Sequence, residues 1–513
     1  MNKTIIRIIC ALLTLLMLTV CFAACSDPAD PNEGDGTEAP AGDGTQDPAG
    51  DGETAAPEQS IDEILGFEIP ELNTTFNILH TSQGEIKPDF IADSFDGDEV
   101  SVEVYERNLT IEEDFKVEMN YVESLGGWSY RADNKKFLES AVQSGSNDYD
   151  LVLGSNVVMA TVMYSGLFHN LCEVDTIDFD HSWWMPDTVE TYGIGEHVYG
   201  AQGSFGHSYY SGLGLIAYNV TLGENFGVEN AHGNLYDTVY GGKWTLDKML
   251  EIGAAYGQDN GDGIMTFGDD VFGCVTTNVP SRLFLFSLGH ELITLNETED
   301  GVKIPTALDE KTISSYERLY AAFPQTGTGT FPNCIAVESG AHAPFAEDKI
   351  LMYTAYFSSL GVEEVRNMTS EYMIMPMPKY DENQEDYITP FSTSVGMALI
   401  PVTAVDADTS GMILEYMSYL GEKNVVPVYI EQTLKLKYAS DPQVMEMVQY
   451  IIDRAAFTLT QALIWNCDAG ANFRNMYAFG PLNGVGSPNI ASFYSSYRRV
   501  WQKQLDNTVA GLQ

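Results

Sequence analysis

The segment NKKFLESAVQSGSNDYDLVLGS, residues 134–155, decides the fold. It reads as a helix closing at Gly145 and then a short buried strand over Asp150 to Leu153. Working upstream, VSVEVYERNLTIEEDFKVEMNYV (100–122) predicts a helix from about Val100 to Phe115. That helix carries Val104, Leu109, Ile111 and Phe115 near helical spacing, and a strand over Val117 to Val122 follows it. Further upstream, LNTTFNILHTS (72–82) alternates Phe76, Ile78 and His80 as a strand does. Strand, helix, strand, helix, strand is the order that builds a parallel α/β sheet.

Downstream, five stretches follow in a recognisable order. NDYDLVLGSNVVMATVMYSGLFHNL (147–171) places a strand before a helix and a Gly-Leu close. HVYGAQGSFGHSYYSGLGLIAYNVTLGENFGV (197–228) ends a strand in Tyr-Asn before a short helix. KWTLDKMLEIGAAYG (243–257), FAEDKILMYTAYFSSL (345–360) and YMIMPMPKYDENQEDYITPFSTSVGMALIP (372–401) then supply a helix, a helix with a strand, and a Pro-x-Pro return. In order and spacing the chain resembles the extracellular solute-binding proteins of bacterial ABC importers, of the carbohydrate-binding type. The resemblance implies an α/β, two-lobed periplasmic-binding-protein-like fold with hinge crossovers and a central ligand cleft. It places lobe one at 66–205 plus 380–455 and lobe two at 206–379 plus 456–513. It also implies a receptor rather than an enzyme, with a sugar or oligosaccharide as ligand and ABC permease subunits as partners.

The ends and the composition fit an extracellular receptor. Lys3 and Arg7 precede an apolar run that closes on small residues, so 1–24 reads as a secretory signal. Phe22-Ala23-Ala24-Cys25 resembles a lipobox, with Phe where Leu is usual, and implies lipidation at Cys25; an ordinary signal peptide is the alternative. Residues 25–65 form an acidic tether with little to bury before Gln59, a composition expected to stay disordered. Fully extended, such a leash reaches on the order of 100 Å. The body of roughly 450 residues exceeds one core and implies two. With 74 acidic against 25 basic residues and a formal charge of −49, the surface repels nucleic acid and anionic lipid. No later segment is apolar enough to span a membrane, so the expected place is the outer face of the cell membrane, held by lipid. Cys172, Cys274, Cys334 and Cys467 allow two disulfides in three pairings, or four buried thiols.

The stretch YGQDNGDGIMTFGDDVFG (256–273) is rich in oxygen ligands. An EF-hand-like loop needs oxygens at positions 1, 3, 5 and 12 with Gly at 6. Placing Asp262 and Gly263 at 5 and 6 puts Asn260 at 3 and Asp269 at 12, but Gln258 at 1. Starting at Asp259 ends on Asp270 and leaves glycines at ligand positions. The two readings are a structural calcium held by Asn260, Asp262, Asp269 and Asp270, and a Gly/Asp turn that holds itself. Neither is catalytic, and no cofactor is required.

A sugar cleft pairs aromatic faces with hydrogen-bonding side chains. The aromatic candidates are Trp183, Tyr209 and Tyr210 near the first crossover, Tyr356 and Phe357 after the strand ILMYTA, and Trp465 near the C-terminus. Trp183 and Trp184 are adjacent and cannot face the same way, so at most one serves. The polar candidates are Ser82, Gln83 and Glu85 after the first strand, and Arg282 in a chain poor in basic residues; Asn472 and Arg474 invite the same comment. The rival class is a secreted lipoprotein glycoside hydrolase working by paired carboxylates. With so many acids, a pair at catalytic separation arises by chance, and no G-x-S-x-G, HExxH or Walker A stretch is present.

Overall fold

The computed structural model describes residues 60–84, 89–92, 95, 97–126, 129–186, 188–195, 197–296, 301–324, 331–392, 394–434, 442–467 and 489–510. The signal segment, Cys25, most of the tether, Glu85, Asn472 and Arg474 lie outside them.

A first sheet is built from β1 (Thr74–Gly84), β2 (Val117–Gly126), β3 (Leu151–Ser155) and a late strand, β9 (Gly396–Leu399), in the order β9-β3-β1-β2. β1 runs parallel to β2 and β3, as the strand and helix order predicts. β9 is antiparallel to β3, because it enters from the return crossover and not through a helix. Helices α1 (Glu99–Phe115) and α2 (Arg131–Gln143) make the connections. The Asp98 side chain accepts from Ser101 N–H at 2.9 Å and starts α1. Lys116 at φ 53° ends it in the left-handed region, one residue before β2. Alternation sends Phe76 and Ile78 into a core with Ile111, Phe115 and Leu414, and Leu79 into a second core on the opposite face. β2 runs to Gly126, four residues past the apolar stretch that marks it in sequence.

The second sheet holds β4 (Gly214–Asn219), β5 (Phe272–Thr277), β6 (Cys334–Val337), β7 (Ile350–Tyr356) and β8 (Tyr372–Pro376), in the order β8-β4-β7-β5-β6. β5 is parallel to β6 and β7, while β4 is antiparallel to β7 and β8. Helix α5 (Leu246–Ala255), capped by the Thr245 hydroxyl, lies on β5. A Cβ at Gly273 would sit 1.8 Å from Gly253 O, so only glycine permits that approach. Cys274 and Cys334 are paired in register and buried as free thiols. Proximity to Cys334 and burial hold the Cys274 thiol well above its ordinary pKa.

The chain passes between the sheets more than once. Outward, it runs through α4 (Ser208–Ser211) into β4. It returns beside that path through 389–396 to β9, α6 (Ala407–Leu420), α7 (Val426–Leu434) and α8 (Pro442–Ile452). The short helix α9 (Leu459–Leu463) and the terminal α10 (Ile490–Val509) follow. Short α3 (Asn156–Met159) begins directly after β3. No described helix is long and apolar enough to cross a membrane.

Candidate functional site

The two crossovers are bonded side by side. Ser392 N–H donates to Gly212 O at 2.7 Å, Gly396 N–H to Ser208 Oγ at 2.9 Å, and Phe357 N–H to Leu213 O at 2.8 Å. A Cβ on Gly212 would stand 2.5 Å from Val395 Cγ1, so a side chain there would force the two strands apart. Around this junction the carboxyl ends of parallel strands come together, which is where open α/β sheets place ligands.

From the first sheet, β1 ends in buried His80, Thr81 and Ser82, with His80 Nδ1 hydrogen-bonded to Ser82 Oγ. Burial lowers the His80 pKa against the pull of Glu123, so the ring is held neutral. β3 ends at Ser155, whose hydroxyl caps Val157 N–H and donates to Ser394 O at 3.1 Å. Asn156 is fully buried; its N–H donates to Val395 O and its side-chain amide to Gln461 O at 3.3 Å. Gln461 in turn donates to Phe391 O at 2.9 Å. Helix α9 therefore reaches the end of β3, and Asn466 extends the contact by donating to Ala160 O at 2.9 Å.

From the second sheet come Arg282, on a 3₁₀ turn that follows β5, and Tyr356, the last residue of β7. Both are recessed but keep part of their surface accessible. Burial pushes the Tyr356 hydroxyl up to about 12, with Arg282 pulling the other way, so it stays a neutral donor and acceptor. Burial lowers the Arg282 pKa, partly offset by Tyr356. Its Nε is buried and meets no acceptor among the described residues. Arg107, also buried, is the opposite case. Its Nη1 donates to Phe205 O at 2.6 Å, its Nη2 to Phe90 O at 2.9 Å and its Nε to Asn108 Oδ1 at 3.1 Å. One guanidinium is spent on structure; the other retains an unused donor.

No protein-family model matches this chain, and no curated protein matches it by sequence. Among solved structures it is similar to the galacto-N-biose/lacto-N-biose I-binding protein of the Bifidobacterium longum ABC transporter in complex with lacto-N-biose. Identity is 13%, the TM-score is 0.52, and the match covers 85% of this chain and 97% of that one. It is likewise similar to the GacH receptor of Streptomyces glaucescens, solved unliganded and with acarbose, at 13% identity and TM-score 0.51 over 85% and 100% of the two chains. An ABC substrate-binding protein from Listeria monocytogenes in complex with cycloalternan gives 12%, 0.51, 85% and 99%. The fold is that of the two-lobed ABC binding proteins.

Within this binding-protein fold the sequence candidates divide. Ser82, Arg282 and Tyr356 stand at strand ends, and the backbone of Gln83 closes β1 beside them. Tyr209 and Tyr210 are buried on the outward crossover, their ring centroids 4.7 Å apart, and the Tyr210 hydroxyl lies 3.0 Å from Ser204 Oγ. Phe357 packs toward Tyr429, 6.1 Å between centroids, and Trp465 is buried in the turn after α9. Trp183 lies apart, beneath His181 at 4.1 Å and against Tyr419 on α6. Asn156, Gln461 and Ser392 stand outside the sequence candidates. Only the position of Asn156, immediately after the strand DLVLGS, could have signalled its place.

The loop 258–271 closes on itself. Asp259 Oδ1 accepts from Gly261 and Gly263 N–H, Asn260 Oδ1 from Asp262 N–H, and Asp262 Oδ1 from Ile264 N–H. Asp270 is buried and uses both oxygens, on Asn260 N–H at 2.8 Å and Thr266 N–H at 2.5 Å. Among the described residues no group of three His, Cys, Asp or Glu side chains is arranged to hold a metal ion. Asp270→Ala removes the acceptor of two part-buried N–H groups and should cost about 1–3 kcal/mol, read as a lower urea midpoint. Added calcium should move the wild-type midpoint little, because the turn is already satisfied; a shift as large as the Asp270 loss would show a bound ion.

Proposed function

We propose that this chain is a solute-binding receptor. It captures a sugar or oligosaccharide between its lobes and hands it to an ABC import permease, held by lipid on Cys25 at the outer face of the membrane. The observation that carries the reading is the recessed, part-accessible Arg282 beside a neutral tyrosine hydroxyl at the carboxyl end of the second sheet. Sugar oxygens are the neutral acceptors that such a donor needs, and a net charge of −49 disfavours an anion. Lobes joined by repeated crossovers suit closure around a guest, driven by contacts made only when shut. The protein works by binding and release, without covalent chemistry.

Titration calorimetry with a panel of oligosaccharides, run beside dipeptides and polyamines, tests the reading. At least one saccharide should bind with Kd on the order of 1 μM and be recovered intact. Heat from dipeptides alone, or consumption of the sugar, would overturn it.

A further inference from the structure

A cavity of about 1020 Å³ lies beside the outward crossover, away from the strand ends. Tyr209 and Tyr210 border it, but Ser82, Asn156, Arg282 and Tyr356 do not. One wall is the segment 179–190, tied to α6 of the first sheet's layer by the His181–Glu415 contact at 2.7 Å and the Trp183–Tyr419 ring pair. α7 and the turn before it continue this side. The facing wall is α8, which packs on β8 of the second sheet and sets Tyr450 against Tyr240 at 5.3 Å. The cavity is thus framed from both layers of the fold.

Its carboxylates stand among apolar side chains, and His181 lines it as well. Asp180, Glu190, Glu422, Glu431 and Asp453 line it, and no Lys or Arg does among the described residues. The rings of Phe179, Trp184, Tyr209 and Tyr210 line it too. Trp184 is 1% exposed, and its indole N–H meets no acceptor among the described residues. Glu422 is partly buried and bonded by Ser182 Oγ at 2.9 Å. Acidic side chains set among aromatic rings attract a weakly hydrated cation.

The geometry points to a second binding site, separate from the sugar site, for an organic ammonium compound. Choline is a suitable probe, and 3,3-dimethyl-1-butanol is its uncharged isostere. By calorimetry choline should give a saturable isotherm, and the alcohol should bind at least about tenfold more weakly. The double variant Glu422→Gln/Asp453→Asn should weaken choline by about tenfold or more while keeping its circular dichroism and thermal midpoint. Saccharide titrations on the same variant should match the wild type. Equal binding of choline and its isostere, choline binding unchanged in the variant, or no saturation up to about 10 mM would overturn the assignment. Those outcomes leave the saccharide titrations untouched, so the two readings fail separately.

Discussion

Arg282→Met should leave the protein folded and weaken saccharide binding by roughly a hundredfold. Methionine keeps the apolar stem and removes the donors. Two charge-assisted hydrogen bonds to a neutral oxygen are worth about 3 kcal/mol together, which is that factor. The thermal midpoint should not fall, because Arg282 Nε has no acceptor among the described residues to lose and burial already disfavours its charge. Arg107→Met is the control with the opposite sign. It strips donors from Phe205 O and Phe90 O inside the first lobe and should lower the unfolding free energy by several kcal/mol, read as a lower urea midpoint. Tyr356 remains protonated throughout the neutral range, so the affinity lost in the Arg282 variant should be flat between about pH 6 and 9. Undiminished binding by the variant would mean that the guanidinium faces away from the guest.

What the sequence discloses, and what it hides, follows from how far apart the interacting residues stand. Asp98, Lys116 and the alternation in 74–79 act on neighbours a few positions away, and they set the first sheet's helices and strands by local chemistry alone. Arg282 stands out because basic residues are scarce, but its neighbour Tyr356 is more than seventy positions away and interchangeable on paper with many other tyrosines. The bond from Asn156 to Gln461 spans 305 residues and has no local signature. Periodicity says that Trp183 and Trp184 face opposite ways, yet only packing decides that Trp184 borders the cavity while Trp183 lies under His181. Composition hides the cavity's carboxylates for the same reason: among 74 acids, five that converge look like any others. In the loop 258–271, a spacing that suggests a cation site equally describes carboxylates that cap their own backbone.

The pH dependence of stability should be nearly flat in the wild type between pH 4.5 and 6.5 as far as His290 and Glu291 are concerned, and steep in either single variant. His290 is buried, its ring nitrogens bonded to Ser315 Oγ at 2.8 Å and Thr312 Oγ1 at 3.0 Å. Burial, with Lys311 nearby, pushes its pKa down to about 4 from 6.5. The unfolded chain therefore holds more protons at this position between those values, and stability rises with pH across that window. Burial pushes Glu291 up to about 7 from 4.5, although Thr460 N–H donates to its Oε1 at 2.7 Å. There the folded chain holds the extra proton, so its contribution is complete below pH 4.5 and is lost as pH rises to 7. Each effect is worth roughly 3 kcal/mol over its window, and the two oppose one another where the windows overlap. Glu291→Gln should expose the rising slope and His290→Gln the falling one, read from urea unfolding at half-unit steps of pH. If both variants track the wild type, neither group is as buried as the structure places it. The falling slope bears on binding too, because Glu291 fastens Thr460, and the adjacent Gln461 carbonyl receives Asn156 from the end of β3. Ionising Glu291 sets a buried charge where α9 docks, so saccharide binding should weaken toward pH 7 in the wild type and in His290→Gln alike, and should not do so in Glu291→Gln.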